Sequence, residues 1–364
     1  MESGSIEHPP MHSPVEWRRS PQGTESLGFP GSKIGGAEST MVRVAEHLGQ
    51  KYRVSVGQHN RSRHEESRVC NLQWLTKREA TSSSLNADII VVQRKVGVLP
   101  FMKWHHPKAR LFVWSHDWFD PRPVGPSTGA AIWRAKNEMR FFLHTHYDAV
   151  SVAVSRTHME NIRESLEQTW AFNRLRHKVK FDFVYNPIDD DLVTVPGKPA
   201  YDPDKLIFFS ASWKGLDIVL NSFRAVRQHL PELRLYVASP GYQPPAQWDE
   251  ALTENVYFLG SLTHETVVSE VRSALCVFYP ADKVPEAFGL VFAESNAVGT
   301  PVLAHPFGAA PELLTPDQLV DARDLNGIVE RLRLWRSGAR PIVRAREEYR
   351  MSDVVRSWER VLFS

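Results

Sequence analysis

Residues 285–294 read Pro-Glu-Ala-Phe-Gly-Leu-Val-Phe-Ala-Glu, and Gly-Thr-Pro-Val follows at 299–302. An apolar run at 275–279 precedes this stretch and has the length of a buried strand. Helical spacing predicts a helix over 287–298, and the apolar residues at 301–304 predict the next strand. A strand, a helix and a second strand in this order are typical of a parallel sheet covered by helices.

The same alternation extends through the chain on both sides of this stretch. Further strands are predicted at 52–56, 88–93, 110–115, 148–155, 180–185, 205–210, 233–238 and 255–259. Helices are predicted at 39–48, 130–146, 156–172, 216–226, 263–273 and 324–336. The chain has 364 residues, more than one domain usually holds. We therefore predict an α/β fold of two facing, doubly wound domains, with ligands bound in the cleft between them.

A polar segment at 186–189, Asn-Pro-Ile-Asp, marks the predicted break between the domains. The first domain is then assigned to residues 31–188 and the second to the residues from 189 onward. Residues 1–30 are polar and rich in Pro, Gly and Ser, which predicts a loop or a disordered lead-in.

Composition narrows the class of protein. Hydrophobic residues make up 42% of the chain and the net charge is only +2, which argues against a disordered chain. Residues 1–188 carry 26 Lys/Arg and 18 Asp/Glu. The favoured interpretation of this positive balance is that the charges are scattered over a solvated surface, although binding of an anionic lipid or an anionic acceptor also fits it. Without a dense basic cluster that includes aromatic residues, nucleic acid is not a predicted partner. No apolar run is long enough for a membrane span, and two cysteines exclude a disulfide framework, so a reducing, cytoplasmic location is expected.

The stretch at 285–294 also carries the main chemical signal. Glu286 precedes the predicted helix, where it can face a ligand hydroxyl, while backbone N–H groups at the helix start can hold a phosphate. Glu294 lies two turns further on, where its carboxylate can accept two hydrogen bonds from a vicinal diol such as a ribose. The alternative is that neither residue binds a ligand: Glu286 is then simply favoured by the helix dipole, and Glu294 lies on a solvated face of the helix.

Three further segments end predicted strands or begin predicted helices. Lys214 lies at a helix start, where a cation is unfavourable unless an anion is also present, so a phosphate partner is expected. Gly35 and Gly36 precede a helix and allow a ligand to approach the backbone, although a plain turn is the alternative. His116 follows a strand and is expected at the edge of the cleft, near a sugar hydroxyl, although a lone histidine is more often structural.

Several other chemistries are not supported. The histidines at 105–106 and 144–146 lack the spacing and the cysteine pairs of a zinc site. The chain also has no phosphate-binding loop of the Gly-x-x-x-x-Gly-Lys-Ser/Thr type and no Gly-x-Gly-x-x-Gly dinucleotide motif.

Taken together, these segments resemble the family-4 retaining glycosyltransferases of the GT-B architecture, which has two Rossmann-like domains. The Glu-x7-Glu element from Glu286 to Glu294 is the most specific part of the resemblance. The segments at 35–38, 185–189 and 214–217 resemble the family's glycine loop, its Asn-Gly-Ile-Asp segment and its phosphate-binding helix. In many members an arginine stands five residues before the lysine; here that position is Phe209.

The resemblance implies transfer of a sugar from a nucleotide diphosphate sugar with retention and without a metal or other cofactor. His116, Lys214 and Glu286 would be the catalytic residues. The implied donor-binding residues are Gly35, Gly36, Ser212, Lys214, Glu286, Phe288, Gly289, Leu290, Val291 and Glu294. The second domain would end near residue 345, and residues 346–364 would form a helix that crosses back to the first domain.

The partners implied are a nucleotide-sugar donor and a glycan or lipid-linked acceptor. Peripheral contact with the inner membrane face through the basic first domain is a further expectation. The alternatives are a GT-B sugar phosphorylase, a nucleotide-sugar epimerase, or a degenerate protein that binds nucleotide sugars without turnover. The residues do not specify the base, the sugar or the acceptor.

Overall fold

The structure, a computed structural model, describes residues 36–58, 64–67, 70–120, 128–169, 178–193, 200–239 and 250–364. Parallel sheets flanked by helices confirm the predicted α/β fold. The elements fall into an N-terminal lobe, built on β1 to β7, and a C-terminal lobe, built on β8 to β12. Residues 1–35, with Gly35 and the predicted lead-in, lie outside the described ranges.

The N-terminal lobe begins with a helix and a small sheet. Its elements are α1 (Gly36–Leu48), β1 (Val54–Gln58), β2 (Glu65–Glu66), β3 (Leu72–Thr76) and α2 (Lys77–Ala80). The sheet has the order β1-β3-β2, in which β3 is parallel to β1 and antiparallel to β2. Strand β3 was not predicted, because the polar residues Gln73 and Thr76 interrupt its apolar residues.

A second sheet completes the N-terminal lobe. Its elements are β4 (Ile89–Gln93), α3 (Leu99–His105), β5 (Arg110–Trp114), α4 (Thr128–His146), β6 (Val150–Ala153), α5 (Arg156–Glu167) and β7 (Lys180–Phe183). The four strands are all parallel and follow the chain order β4-β5-β6-β7. Among the described residues the lobe therefore holds two separate sheets, where the sequence predicted one doubly wound domain.

The C-terminal lobe is one parallel sheet of five strands. Its elements are β8 (Asp202–Phe208), α6 (Leu216–Arg227), β9 (Arg234–Ser239), α7 (Glu250–Thr253), β10 (Val256–Ser261), α8 (His264–Arg272), β11 (Ala274–Tyr279), α9 (Leu290–Ala297), β12 (Val302–Ala304), α10 (Ala310–Leu313) and α11 (Leu325–Leu334). The strand order is β10-β9-β8-β11-β12, so the direction of winding changes between β8 and β11. In open α/β sheets a ligand site lies at such a switch point, beyond the carboxyl ends of the strands.

The last helix, α12 (Met351–Phe363), packs on the N-terminal lobe. The rings of Trp358 and Trp114 meet edge to face with centroids 4.6 Å apart, and both residues are buried. The two segments that pass between the lobes lie side by side, because the Ile188 N–H donates to the Tyr349 carbonyl over 2.8 Å. Within the described ranges, no helix has both the length and the apolar character that crossing a membrane requires.

Candidate active site

Lys214 and Glu286 form an ion pair at the switch point of the C-terminal sheet. Lys214 ends the short turn Ser212–Lys214 after β8, and Glu286 lies in the segment between β11 and α9. Lys214 Nζ donates to both carboxylate oxygens of Glu286 over 2.7 Å, and Tyr279 Oη donates to Glu286 Oε1 over 3.0 Å. The structure thus brings together two of the residues predicted to be catalytic.

This ion pair changes what Lys214 indicates. A cation at a helix start is unfavourable without an anion, which is why a phosphate is predicted beside Lys214. In the structure Glu286 is that anion, so the position of Lys214 alone does not identify a phosphate ligand. The side chain of Lys214 is still 25% exposed, whereas that of Glu286 is only 10% exposed, so the lysine remains open to a ligand.

Helix α9 begins later than the sequence predicted. It starts at Leu290 rather than at 287 or 288, because Gly289 has φ +87° and ends the preceding loop in a left-handed conformation. A Cβ at Gly289 would lie 2.5 Å from the Phe292 ring. The first helical hydrogen bond is donated by the Phe292 N–H, so the N–H groups of Leu290 and Val291 lie ahead of it and can bind an anion.

The side chain of Phe288 belongs to the core rather than to a ligand pocket. It is buried, and its ring contacts those of Tyr185 and Tyr349 with centroids 5.9 and 5.2 Å apart. The Val291 side chain is also buried. Any contact of these two residues with a donor must therefore come from the backbone.

Glu294 lies on the second turn of α9 and is half-buried. Burial raises the pKa of its carboxyl group, and the nearby charges of His264 and Arg43 only partly offset that rise. Arg43 belongs to α1, so Glu294 faces the junction of the two lobes. Within the part of the chain that the structure describes, its carboxylate has no hydrogen-bond partner, which leaves both oxygens available to a diol.

The glycine at the start of α1 lies against α9. A Cβ at Gly36 would approach the Leu290 side chain to 2.8 Å, so the two lobes come close together at this point. Of the predicted glycine pair, only Gly36 is described, because Gly35 lies outside the described ranges. Ser212 is half-buried and begins the turn that ends at Lys214.

His116 follows β5 and is held by a residue that the sequence argument did not identify. Gln93 Nε2 lies 3.2 Å from His116 Nε2 and donates to the Ala37 carbonyl over 2.8 Å. Because the amide nitrogen is a donor, His116 Nε2 must accept, which places the ring proton on Nδ1. Burial lowers the pKa of His116 well below its ordinary value, and Arg94 lowers it further. His116 is therefore a neutral imidazole that offers one N–H donor.

Two contacts between the lobes lie beside these residues. Ser155 Oγ, at the start of α5, donates to the Ala287 carbonyl over 2.6 Å. Glu312 of the C-terminal lobe accepts hydrogen bonds from the Thr157 N–H, the Thr157 hydroxyl, the Arg156 N–H and the Tyr185 hydroxyl at 2.6 to 3.1 Å. A carboxylate from one lobe thus caps a helix of the other, and Ser155 at the start of that helix holds the backbone next to Glu286.

Two more residues of the site were missed by the sequence argument. Lys283 Nζ donates to the Asp217 carboxylate in the first turn of α6 over 3.0 Å, so a second exposed cation lies beside the turn that carries Lys214. Gly308 has φ +60°, and a Cβ there would lie 2.6 Å from the Glu286 carbonyl oxygen. A lysine and a glycine in loops carry little sequence signal, although a glycine shortly after a strand is a weak hint of a close backbone approach.

No group of three or more His, Cys, Asp or Glu side chains among the described residues could hold a metal ion. Cys70 and Cys276 are both free thiols.

Comparison with known proteins links the C-terminal lobe to a family. Residues 198–349 match the family described as glycosyl transferases group 1. A GDP-mannose-dependent monoacylated alpha-(1-6)-phosphatidylinositol monomannoside mannosyltransferase of Corynebacterium glutamicum is 28% identical over 128 residues, which cover 33% of this chain and 34% of that protein. The chain therefore matches only about a third of the length of this curated relative.

Solved structures share the fold over most of the chain. A UDP-forming alpha,alpha-trehalose-phosphate synthase from Burkholderia xenovorans aligns with a TM-score of 0.62 and 12% identity, covering 91% of this chain and 97% of that chain. A sucrose-phosphate synthase from Thermosynechococcus elongatus aligns with a TM-score of 0.59 and 16% identity, covering 91% and 90% of the two chains. The fold is thus shared with these two structures over most of the chain, and the family match covers residues 198–349.

Proposed function

We propose that this protein is a retaining glycosyltransferase that moves a sugar from a nucleotide diphosphate sugar to a hydroxyl of a glycan, glycolipid or other acceptor, without a metal. The observation that carries the proposal is the arrangement around α9. A partly exposed lysine, the N–H groups at the start of α9 and, about one turn along that helix, a carboxylate with no hydrogen-bond partner among the described residues all lie within the segment that matches the glycosyl transferases group 1 family.

The chemistry follows from charge. As the bond between the sugar and the diphosphate breaks, negative charge grows on the leaving diphosphate. Lys214 and the N–H groups of Leu290 and Val291 are placed to stabilise that charge, and they contribute most in the transition state. Lys283 supplies a second cation beside them. It takes the place of the arginine that many members of the family that the sequence resembles carry at the position of Phe209.

The remaining residues hold the donor. Glu294 accepts hydrogen bonds from the ribose diol, and Glu286 accepts them from hydroxyls of the transferred sugar once Lys214 turns to the diphosphate. His116, neutral and held by Gln93, donates from Nδ1 to the sugar. Gly36 lets the backbone of the N-terminal lobe approach the diphosphate.

The first test is a donor panel. The curated relative is named for GDP-mannose and one structural neighbour is UDP-forming, so the panel contains GDP-mannose, UDP-glucose and UDP-N-acetylglucosamine. We expect slow hydrolysis of one donor by water, measured as nucleotide release, and loss of that release in Glu294→Gln. Glu330→Gln is the matched control, because Glu330 lies on the exposed face of α11.

The same assay separates the alternatives. Nucleotide release that needs inorganic phosphate would indicate a phosphorylase, and conversion of the sugar without release would indicate an epimerase. Binding of a donor by calorimetry without any release fits either a strict need for the acceptor or the degenerate binding protein, and release on addition of glycan or lipid acceptors distinguishes the two. No binding of any donor by the folded protein would refute the proposal. Retention is tested by the anomeric configuration of the product in NMR, and metal independence by activity in excess chelator.

A further inference from the structure

Large apolar side chains are exposed on two neighbouring helices of the N-terminal lobe. They are Phe101 and Trp104 on α3, and Ile132, Met139 and Phe142 on α4. Trp104 is 83% exposed, more than any other large apolar side chain among the described residues. A single exposed apolar residue is ordinary, but several of them on adjacent helices mark an interaction surface.

The two helices cover the same face of the four-stranded sheet. Each connects neighbouring parallel strands in the same direction, and such connections are right-handed, so both helices lie on one side. Leu99 of α3 and Leu143 of α4 also belong to one buried cluster beneath them. The next helix on this face, α5, exposes only charged and polar residues: Arg156, Glu160, Arg163, Glu164, Glu167 and, at its C-cap, Gln168. The apolar surface is therefore confined to α3 and α4.

The charge around this surface is positive. Residues 99–108 and 128–146 together contain five Lys or Arg and a single acidic residue. Lys108, Arg134 and Lys136 are exposed, and none has an acidic partner among the residues that the structure describes. Aromatic and aliphatic side chains surrounded by unpaired cations are the combination that binds an anionic lipid surface. A second copy of the chain fits less well, because a two-fold interface would bring the same cations together.

We propose that the exposed face of α3 and α4 docks on an anionic bilayer, with Phe101, Trp104, Ile132, Met139 and Phe142 inserted among the lipids and Lys108, Arg134 and Lys136 at the headgroups. The docking is independent of the transferase activity. It would hold the protein at a membrane surface as a peripheral protein.

The test is co-sedimentation with vesicles of phosphatidylcholine alone and of phosphatidylcholine mixed with phosphatidylglycerol. We expect binding to the mixed vesicles that weakens as salt rises, because the cations then lose part of their attraction. The double variant Trp104→Ser, Phe142→Ser should bind at least about tenfold more weakly, since two large apolar side chains no longer enter the lipid. The double variant Arg134→Ser, Lys136→Ser should lose the preference for phosphatidylglycerol. Ile342→Ser is the matched control, because Ile342 is 82% exposed but belongs to the other lobe.

Three results would overturn the proposal. One is wild-type binding by the Trp104→Ser, Phe142→Ser variant, and another is no binding to either vesicle. The third is a dimer in light scattering that this variant abolishes, which would assign the face to a second copy. Circular dichroism and nucleotide release from the donor, measured on each variant, show separately whether the fold and the proposed transferase activity are intact.

Discussion

Replacing Glu286 with glutamine should tighten the binding of a nucleoside diphosphate while it slows sugar transfer. In the structure both carboxylate oxygens of Glu286 accept a hydrogen bond from Lys214 Nζ over 2.7 Å. A diphosphate must therefore displace Glu286 from the lysine and then lie close to the displaced carboxylate. Glutamine keeps the shape of the side chain but removes both of these costs.

The size of the effect follows from the exposure of the pair. Breaking a fully buried pair costs about 3–5 kcal/mol, and an exposed pair is worth about 0–1 kcal/mol. With side chains 25% and 10% exposed, the Lys214–Glu286 pair lies between these limits. A gain of roughly 1.4 kcal/mol corresponds to about a tenfold lower Kd. Transfer slows because the neutral amide accepts sugar hydroxyls less well than the carboxylate does.

Calorimetry with UDP and GDP measures the change directly. Lys214→Met should weaken binding, and in the double variant Glu286→Gln should tighten it less, because only the repulsion between carboxylate and diphosphate is then left to relieve. Tyr279→Phe is the control, since it removes the other hydrogen bond to Glu286 and leaves the ion pair in place. An equal or weaker affinity in a correctly folded Glu286→Gln protein would refute the view that Glu286 competes with the ligand for Lys214.

Three further predictions test the supporting contacts. Gln93→Glu places an acceptor against His116 Nε2, so the imidazole pKa rises from its depressed value and the neutral ring keeps its single proton on Nε2. Nδ1 then donates to the sugar only while the ring is protonated, so transfer should fall as the pH rises through the raised pKa; an unchanged profile would exclude the contact. Glu312→Gln should lower the free energy of unfolding in urea by about 2 kcal/mol at neutral pH. Although burial opposes it, hydrogen bonding lowers the folded-state pKa of Glu312, so this difference should shrink as the pH falls below 4.5 and on through that lowered pKa. Gly308→Ala should reduce thermal stability more than Gly338→Ala, because both have positive φ but only Gly308 lies against other backbone atoms.

The fold could be predicted because buried parallel strands appear in the sequence as apolar runs. β11, for example, is buried at all six of its positions. Strand β3 was not predicted because it has neither a continuous apolar run nor a regular alternation: Gln73 separates Leu72 from the adjacent Trp74 and Leu75. The start of α9 was predicted too early because a left-handed glycine leaves no trace in the hydrophobic periodicity.

The sequence did not show which residues of the site pair with each other, because the partners lie far apart along the chain. Lys214 and Glu286 are 72 positions apart, and Glu312 is 155 positions from Thr157. Each residue type and its local context were visible, but only the folded topology determines which carboxylate meets which donor. The lysine was therefore identified while its partner was assumed to be a ligand, and Glu312 was not identified at all.

The paired crossings of the chain have a mechanical consequence. Because the segments near Ile188 and Tyr349 are joined by a backbone hydrogen bond, they act as two parallel tethers along one edge of the cleft. Such a pair bends easily about a single axis but resists twisting and sliding. The double connection therefore limits how far α1 and α9 can slide past each other, and it helps to keep Gly36 opposite Leu290, where the two lobes meet.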